Sequence, residues 1–172
     1  MKKFTSLGLS LLLLLITAFS AGPASAKSPT IFEFDSMVGV PKPYTGSANP
    51  IRGVNGGGLP WVIAFGKGEL KADGKLEVKV QGLVLDPNDP DVIASGRAGT
   101  NPSATFRVLV SCMSKDAAGA AVVANVLTDP FPASPTGNAK VEARVALPSP
   151  CIGPIIFVTN GGGTSWFAAT GS

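Results

Sequence analysis

The chain has 172 residues, of which 14 are basic and 11 acidic, and it contains two cysteines and no histidine. The lack of histidine excludes Ser-His-Asp and Cys-His catalytic machinery and histidine-ligated metal sites. Two cysteines are too few for a multi-cysteine zinc or iron–sulfur site. The sequence indicates no cofactor.

Residues 1–26 have the pattern of an export signal. A lysine pair at 2–3 precedes an apolar run at 7–19, and small residues at 24–26 match the requirement of signal peptidase. As a helix, this apolar run is shorter than a hydrocarbon core of about 30 Å, which argues against a retained membrane anchor. We therefore expect removal of residues 1–26, a secreted product with no membrane span, and one domain at 27–172.

Loss of the two signal lysines lowers the formal net charge from 14 − 11 = +3 to 12 − 11 = +1. The remaining basic residues are spaced singly along the chain. Proteins that bind nucleic acid carry clustered basic residues. We therefore expect no nucleic-acid partner, and the sequence leaves the extracellular or envelope partner unidentified.

Short apolar segments separated by glycine and proline predict an all-β fold. No stretch keeps an apolar helical period free of glycine and proline for three turns. About nine short strands are expected, at residues 31–34, 61–65, two within 69–85, 104–112, 121–128, 139–147, 155–158 and 166–169. This pattern favours an antiparallel β-sandwich, immunoglobulin-like in architecture but without the Cys-Trp-Cys order of that fold.

Residues 36–60 are rich in Gly, Pro, Asn and Ser, which predicts a long loop or an extended edge that crosses the sandwich. By contrast, the four successive apolar residues at 155–158 show no alternation. A strand of this kind is typical of the centre of a sheet that is covered on both faces.

The segment 69–85 predicts a hairpin with one apolar and one charged face. A two-residue turn would place Leu70 opposite Glu77, whereas a three-residue loop with Gly74 in the left-handed conformation places Leu70 opposite Leu76. The longer loop keeps the apolar side chains together. We therefore expect the three-residue loop.

Residues 86–91 form a candidate calcium site, since hard cations bind several oxygens and this segment offers Asp86, Asn88, Asp89 and Asp91. The spacing lacks the central glycine and the distal glutamate of a helical calcium loop. Asp-Pro and Asn-Asp pairs are also common in turns. The turn is the favoured interpretation, and calcium binding is the alternative.

Cys112 and Cys151 are the only cysteines, and an oxidising compartment favours their pairing. A catalytic redox pair usually has the close Cys-x-x-Cys spacing, which is absent here. We expect one structural disulfide.

Two Asn-Gly-Gly-Gly sequences, which begin at Asn55 and Asn160, each precede a tryptophan by the same distance, Trp61 and Trp166 respectively. Glycine loops permit chain reversal, so one explanation is two equivalent core positions. The other is a ligand-binding platform of exposed rings beside flexible loops, whose five candidate residues are Trp61, Trp166, Tyr44, Asn55 and Asn160.

Several segments resemble a set of small secreted bacterial proteins. These are residues 52–61, 82–85, 149–151, 154–159 and 166–171. The resemblance implies an exported β domain. It assigns no activity, because that set has no assigned function.

The sequence leaves three functions open. The first is an exported, non-catalytic binding or structural module. The second is a hydrolase of sugars or cell-wall polymer, which needs two carboxylates opposed across a cleft, as in glycosidases, from among Glu33, Asp35, Glu69, Asp86, Asp89 and Asp91. The third is inhibition of an exogenous protease by a rigid loop at residues 113–119.

Overall fold

A computed structural model describes residues 27–170, and these form thirteen strands and one short helix. In chain order the elements are β1 Thr30–Phe34, β2 Met37–Gly39, β3 Asn55–Gly56, β4 Trp61–Val62, β5 Phe65–Lys71, β6 Lys75–Gln81, β7 Val84–Leu85, α1 Pro90–Ala94, β8 Thr105–Lys115, β9 Ala121–Leu127, β10 Phe131–Pro132, β11 Ala139–Arg144, β12 Ile152–Asn160 and β13 Ser165–Thr170. The predicted export signal at 1–26 lies outside the described residues.

The strands form a four-stranded sheet in the order β1-β5-β6-β11 and a seven-stranded sheet built on the path β10-β8-β12-β13-β2. In the larger sheet β9 also pairs with β8, and β3 pairs with β13 in the parallel direction. The strands β4 and β7 form a separate pair. The prediction of an all-β, sandwich-like fold is confirmed. The expected nine strands become thirteen because short two- and three-residue strands escape pattern reading.

The hairpin of β5 and β6 has the predicted register. Leu70 lies opposite Leu76, and both side chains are fully buried. Gly74 adopts a φ of +82° in the loop between the strands, which is the left-handed conformation that the longer loop requires. Burial of the apolar face therefore decides the register.

The core is one continuous cluster that includes side chains of both sheets. β12 lies between β8 and β13, and its residues Ile156, Phe157 and Val158 are buried. This confirms the prediction of a central strand that is covered on both faces. Side chains at successive positions point to opposite faces, so three buried neighbours require cover on each side.

The segment 36–60, predicted to be a long loop or an extended edge, is partly loop and partly strand. Its strands β2 and β3 pair with β13, while the rest runs as a loop. The single strand expected at 61–65 is wrong, because β4 and β5 belong to different sheets and the chain turns at Ile63 and Ala64. The helix α1 was also not expected.

Cys112 and Cys151 form the predicted disulfide. It joins β8 to the residue immediately before β12, and the sequence separation is 39 residues. The closed loop contains β11, which is a strand of the other sheet. The bridge therefore closes a loop with strands of both sheets, which reduces the conformational freedom of the unfolded chain.

Candidate functional site

The two tryptophans lie in the core and not on the surface. Trp61 is 4% exposed and Trp166 is 3% exposed. The Trp61 ring stacks on Phe167 with 3.9 Å between centroids, and Trp166 packs against Phe157. Of the two explanations, the platform of exposed rings is therefore wrong, and both tryptophans occupy core positions where they pack against other aromatic rings.

The first glycine sequence pairs with the strand that follows the second one. Asn55 pairs with Ser165 along β3 and β13, and the N–H of Gly57 donates to the carbonyl of Trp166 over 2.8 Å. Asn160 closes its own turn, since its Oδ1 accepts the N–H of Thr164 over 2.9 Å. The first sequence thus places β3 beside β13, and the second forms the turn between β12 and β13. Of the five residues proposed for ligand binding, Tyr44 and Asn55 are exposed.

The candidate calcium loop is the start of helix α1. Oδ1 of Asp89 accepts the N–H groups of Asp91 and Val92, and Oδ1 of Asp86 accepts the N–H of Asn88. The ammonium of Lys42 lies 2.8 Å from carboxylate oxygens of both Asp89 and Asp91. A lysine and backbone donors thus occupy the oxygens that a cation would need. Over residues 27–170, no group of three or more acidic, cysteine or histidine side chains is arranged for a metal ion.

The outer face of the four-stranded sheet carries a row of four carboxylates. The register places Glu33 opposite Glu69, Glu69 opposite Glu77, and Glu77 opposite Glu142. One glutamate therefore comes from each strand, with neighbours about 5 Å apart. We call these four residues the acidic row.

A row of lysines lies two residues away along the strands. Lys67 lies opposite Lys79, and Lys79 lies opposite Lys140. We call these three residues the lysine row, and the two rows together the striped face. Like charges directly opposite each other destabilise a sheet, so the arrangement depends on nearby charges of the opposite sign.

Part of that compensation comes from ion pairs within single strands. Nζ of Lys75 lies 2.6 Å from Glu77, and Lys140 contacts Glu142. The hydrogen bond from Lys75, followed by its charge, lowers the pKa of Glu77, and the pKa of Lys75 is raised in return. Glu69 pairs with Lys71 over 3.2 Å. Three of the four glutamates in the acidic row therefore have an ion-pair partner.

Four charged side chains remain without such a pair in a groove of about 600 Å³ on the striped face. Glu33 and Asp35 line one part of the groove, and Lys67 and Lys79 line another. Among the described residues, none of the four has an oppositely charged group within 4 Å. The groove thus offers two carboxylates and two ammonium groups to a ligand.

A second groove, of about 410 Å³, differs in that its lysine already has an ion-pair partner. It is lined by Trp61, Lys42, Asp86 and Asp89 among others. Its lysine is already paired with Asp89. The striped face is therefore the better candidate for recognition of a charged ligand.

The geometry does not favour hydrolysis. Glu33 and Glu69 are neighbours on one open face, whereas a glycosidase holds its two carboxyl groups on either side of the scissile bond. The lowered pKa of Glu77 keeps it ionised, so it does not supply a proton. Asp89 and Asp91 are engaged by Lys42.

Residues 113–119 form the end of β8 and the turn before β9. Oδ1 of Asp116 accepts the N–H groups of Ala118 and Ala120, each over 2.9 Å. The turn is exposed and next to the disulfide in sequence. Protease inhibition by this segment stays a prediction.

Fold and site together define an all-β, disulfide-linked domain with a mixed-charge groove on one sheet. No protein-family model, curated protein or solved structure matches the chain. Within residues 27–170, no helix is long and apolar enough to cross a membrane. The functional argument therefore rests on the geometry of the groove.

Proposed function

We propose that this protein is an exported, non-catalytic binding module whose striped face holds a short peptide with free termini. One observation carries the proposal. Two carboxylates and two lysines in the same groove have no ion-pair partner among the described residues. The export pattern at residues 1–26 and the disulfide support a location outside the cytoplasm, in the extracellular space or the cell envelope.

The spacing of these charges fits both ends of a peptide. From the strand register, Glu33 is about 8 Å from Lys67 and about 12 Å from Lys79 in backbone position. An extended chain of three residues spans about 10 Å. The peptide ammonium group would therefore bind at Glu33 while its carboxylate binds between the two lysines.

Neutralisation of the lysine pair tests this arrangement. We expect Lys67→Gln with Lys79→Gln to weaken binding of trialanine at least about tenfold, because charge-assisted hydrogen bonds to the carboxylate are lost. Binding is measured by isothermal titration calorimetry on the oxidised chain. Affinity for the unmodified protein should also fall as salt is raised.

A matched double variant controls for the change in net charge. Lys115→Gln with Arg97→Gln removes two exposed positive charges that do not line the groove, and it should leave the affinity unchanged. Glu33→Gln should weaken trialanine binding but have no effect on the N-acetylated peptide. Equal loss in both double variants, or no binding of trialanine at millimolar concentration, would contradict the proposal.

A further inference from the structure

Most outer strands of the two sheets carry a feature that discourages pairing with another chain. β1 has a glutamate and a register irregularity, and β11 has three charged residues. β10 contains a proline, and β2 and β3 have three and two residues. Charge, proline, irregularity and shortness are the usual protections of a sheet edge.

β9 has none of these protections. It is seven residues long, its sequence is AVVANVL, and its register with β8 is regular throughout. None of its residues is buried. Within the part of the chain that the structure describes, β8 is the only strand that pairs with it. A long, uncharged and regular edge is a ready template for another strand.

The backbone groups available at this edge follow from the register. The N–H of Thr128 donates to the carbonyl of Val108 over 2.9 Å, so residue 128 faces β8. The backbone N–H and C=O groups of successive residues point to opposite sides of an antiparallel strand. Those of the even-numbered residues in β9 therefore point to β8. The N–H and C=O groups that point to the open edge belong to Ala121, Val123, Asn125 and Leu127.

Apolar side chains lie beside the open edge. Val123 lies opposite Met113, and Met113 lies opposite Ile152 across β9, β8 and β12. All three are exposed, as is Leu127. The edge therefore combines free hydrogen-bonding groups with apolar surface on the same side of the sheet.

We propose that two copies of this protein pair through β9, antiparallel and about a two-fold axis at Ala124. In this register Val123 lies opposite Asn125 of the second copy and Ala121 lies opposite its Leu127. Each residue whose backbone N–H and C=O groups point to the open edge then lies opposite another such residue of the second copy. The four pairs together form about eight backbone hydrogen bonds. The strand carries no charge that would repel an identical strand or select a different one. Such a contact is isologous and closed, which favours a dimer over a filament.

Sedimentation equilibrium of the oxidised chain from Lys27 to Ser172 tests this pairing. We expect a monomer–dimer equilibrium, and we expect Val123→Lys to raise the dissociation constant at least about tenfold by placing two ammonium groups near the axis. Val38→Lys is the matched control, because Val38 is an exposed valine of β2 at the opposite edge of the same sheet. It should leave the equilibrium unchanged.

Hydrogen exchange on the unmodified protein gives a second measurement that needs no variant. The amides of Val123 and Asn125 should exchange slowly in the dimer and become fast on dilution to monomer. A monomer at all concentrations up to about 0.5 mM would overturn the proposal. So would a dimer that is indifferent to Val123→Lys, or one in which these two amides exchange fast.

Discussion

At the scale of single residues, Gly74 and Gly46 have similar backbone conformations but different surroundings. Their φ angles are +82° and +69°. A Cβ atom on Gly74 would lie 1.9 Å from the carbonyl oxygen of Val145, whereas a Cβ on Gly46 would meet nothing within 4 Å. The loop between β5 and β6 therefore needs glycine for space as well as for φ.

We expect Gly74→Ala to lower the free energy of unfolding by about 2–4 kcal/mol, the sum of left-handed strain and a steric clash. Gly46→Ala should cost about 1 kcal/mol, because only the strain applies. Urea unfolding of both variants provides the measurement. Similar losses in the two variants would show that the contact with Val145 relaxes without cost.

The tryptophans show the limit of prediction at this scale. An Asn-Gly-Gly-Gly sequence before Trp61 or Trp166 is compatible with a buried ring and with an exposed one. The choice depends on the aromatic neighbours, Phe167 for Trp61 and Phe157 for Trp166. Phe167 is distant from Trp61 in the sequence, and both contacts form only when the sheet is assembled. No local pattern contains that information.

At the scale of elements, helix α1 depends on a charge pair for its N-terminal cap. The hydrogen bond from Lys42 is the main cause of the lowered pKa of Asp89, and the N–H groups of Val92 and Asp91 add to it. The pKa in the folded protein lies below the ordinary value of 3.8. Asp89 therefore stabilises the fold above about pH 3.8, and this contribution is lost as the pH falls through the folded pKa.

We expect Asp89→Asn to be less stable than the unmodified protein at pH 7, with a difference that shrinks as the pH falls below about 3.8 and through the folded pKa of Asp89. Asparagine retains the capping oxygen, so the variant isolates the charge. Urea unfolding as a function of pH measures the difference. In a Lys42→Gln background the effect should be smaller, and a pH-independent difference would argue against the charge pair.

The elements differ in how well the sequence predicts them. The hairpin of β5 and β6 was predicted with its register because strict alternation over seven residues leaves one arrangement that buries Leu70 and Leu76 together. The strands β2 and β3 were not located, since two or three residues contain too few positions to show alternation. α1 has only five residues and was hidden by turn-forming residues.

At the scale of the whole molecule, the striped face depends on register between distant parts of the chain. The charged side of each strand could be read from its own sequence. The alignment of Glu33 with Glu69, Glu77 and Glu142 requires the strand order and three registers. The groove was therefore beyond sequence reasoning, although every charge that forms it was visible.

We expect the disulfide to affect the stability of the whole fold more than the shape of the groove. Cys112 is fully buried and lies in the seven-stranded sheet. Its bridge to Cys151 closes a loop of about 40 residues, which corresponds to about 4 kcal/mol of unfolded-state entropy. The groove is lined by β1, β5, β6 and β11 together with Asp35, none of which contains a cysteine.

We therefore expect Cys112→Ala with Cys151→Ala to lower the free energy of unfolding by about 4 kcal/mol, measured with guanidinium chloride. Below the unfolding transition, the folded fraction should bind trialanine with unchanged affinity. A loss of less than about 1 kcal/mol would show that the reduced chain is already constrained in its unfolded state. Weaker peptide binding by the folded variant would show instead that the bridge positions β11 in the striped face, since β11 is the only strand of that sheet inside the closed loop.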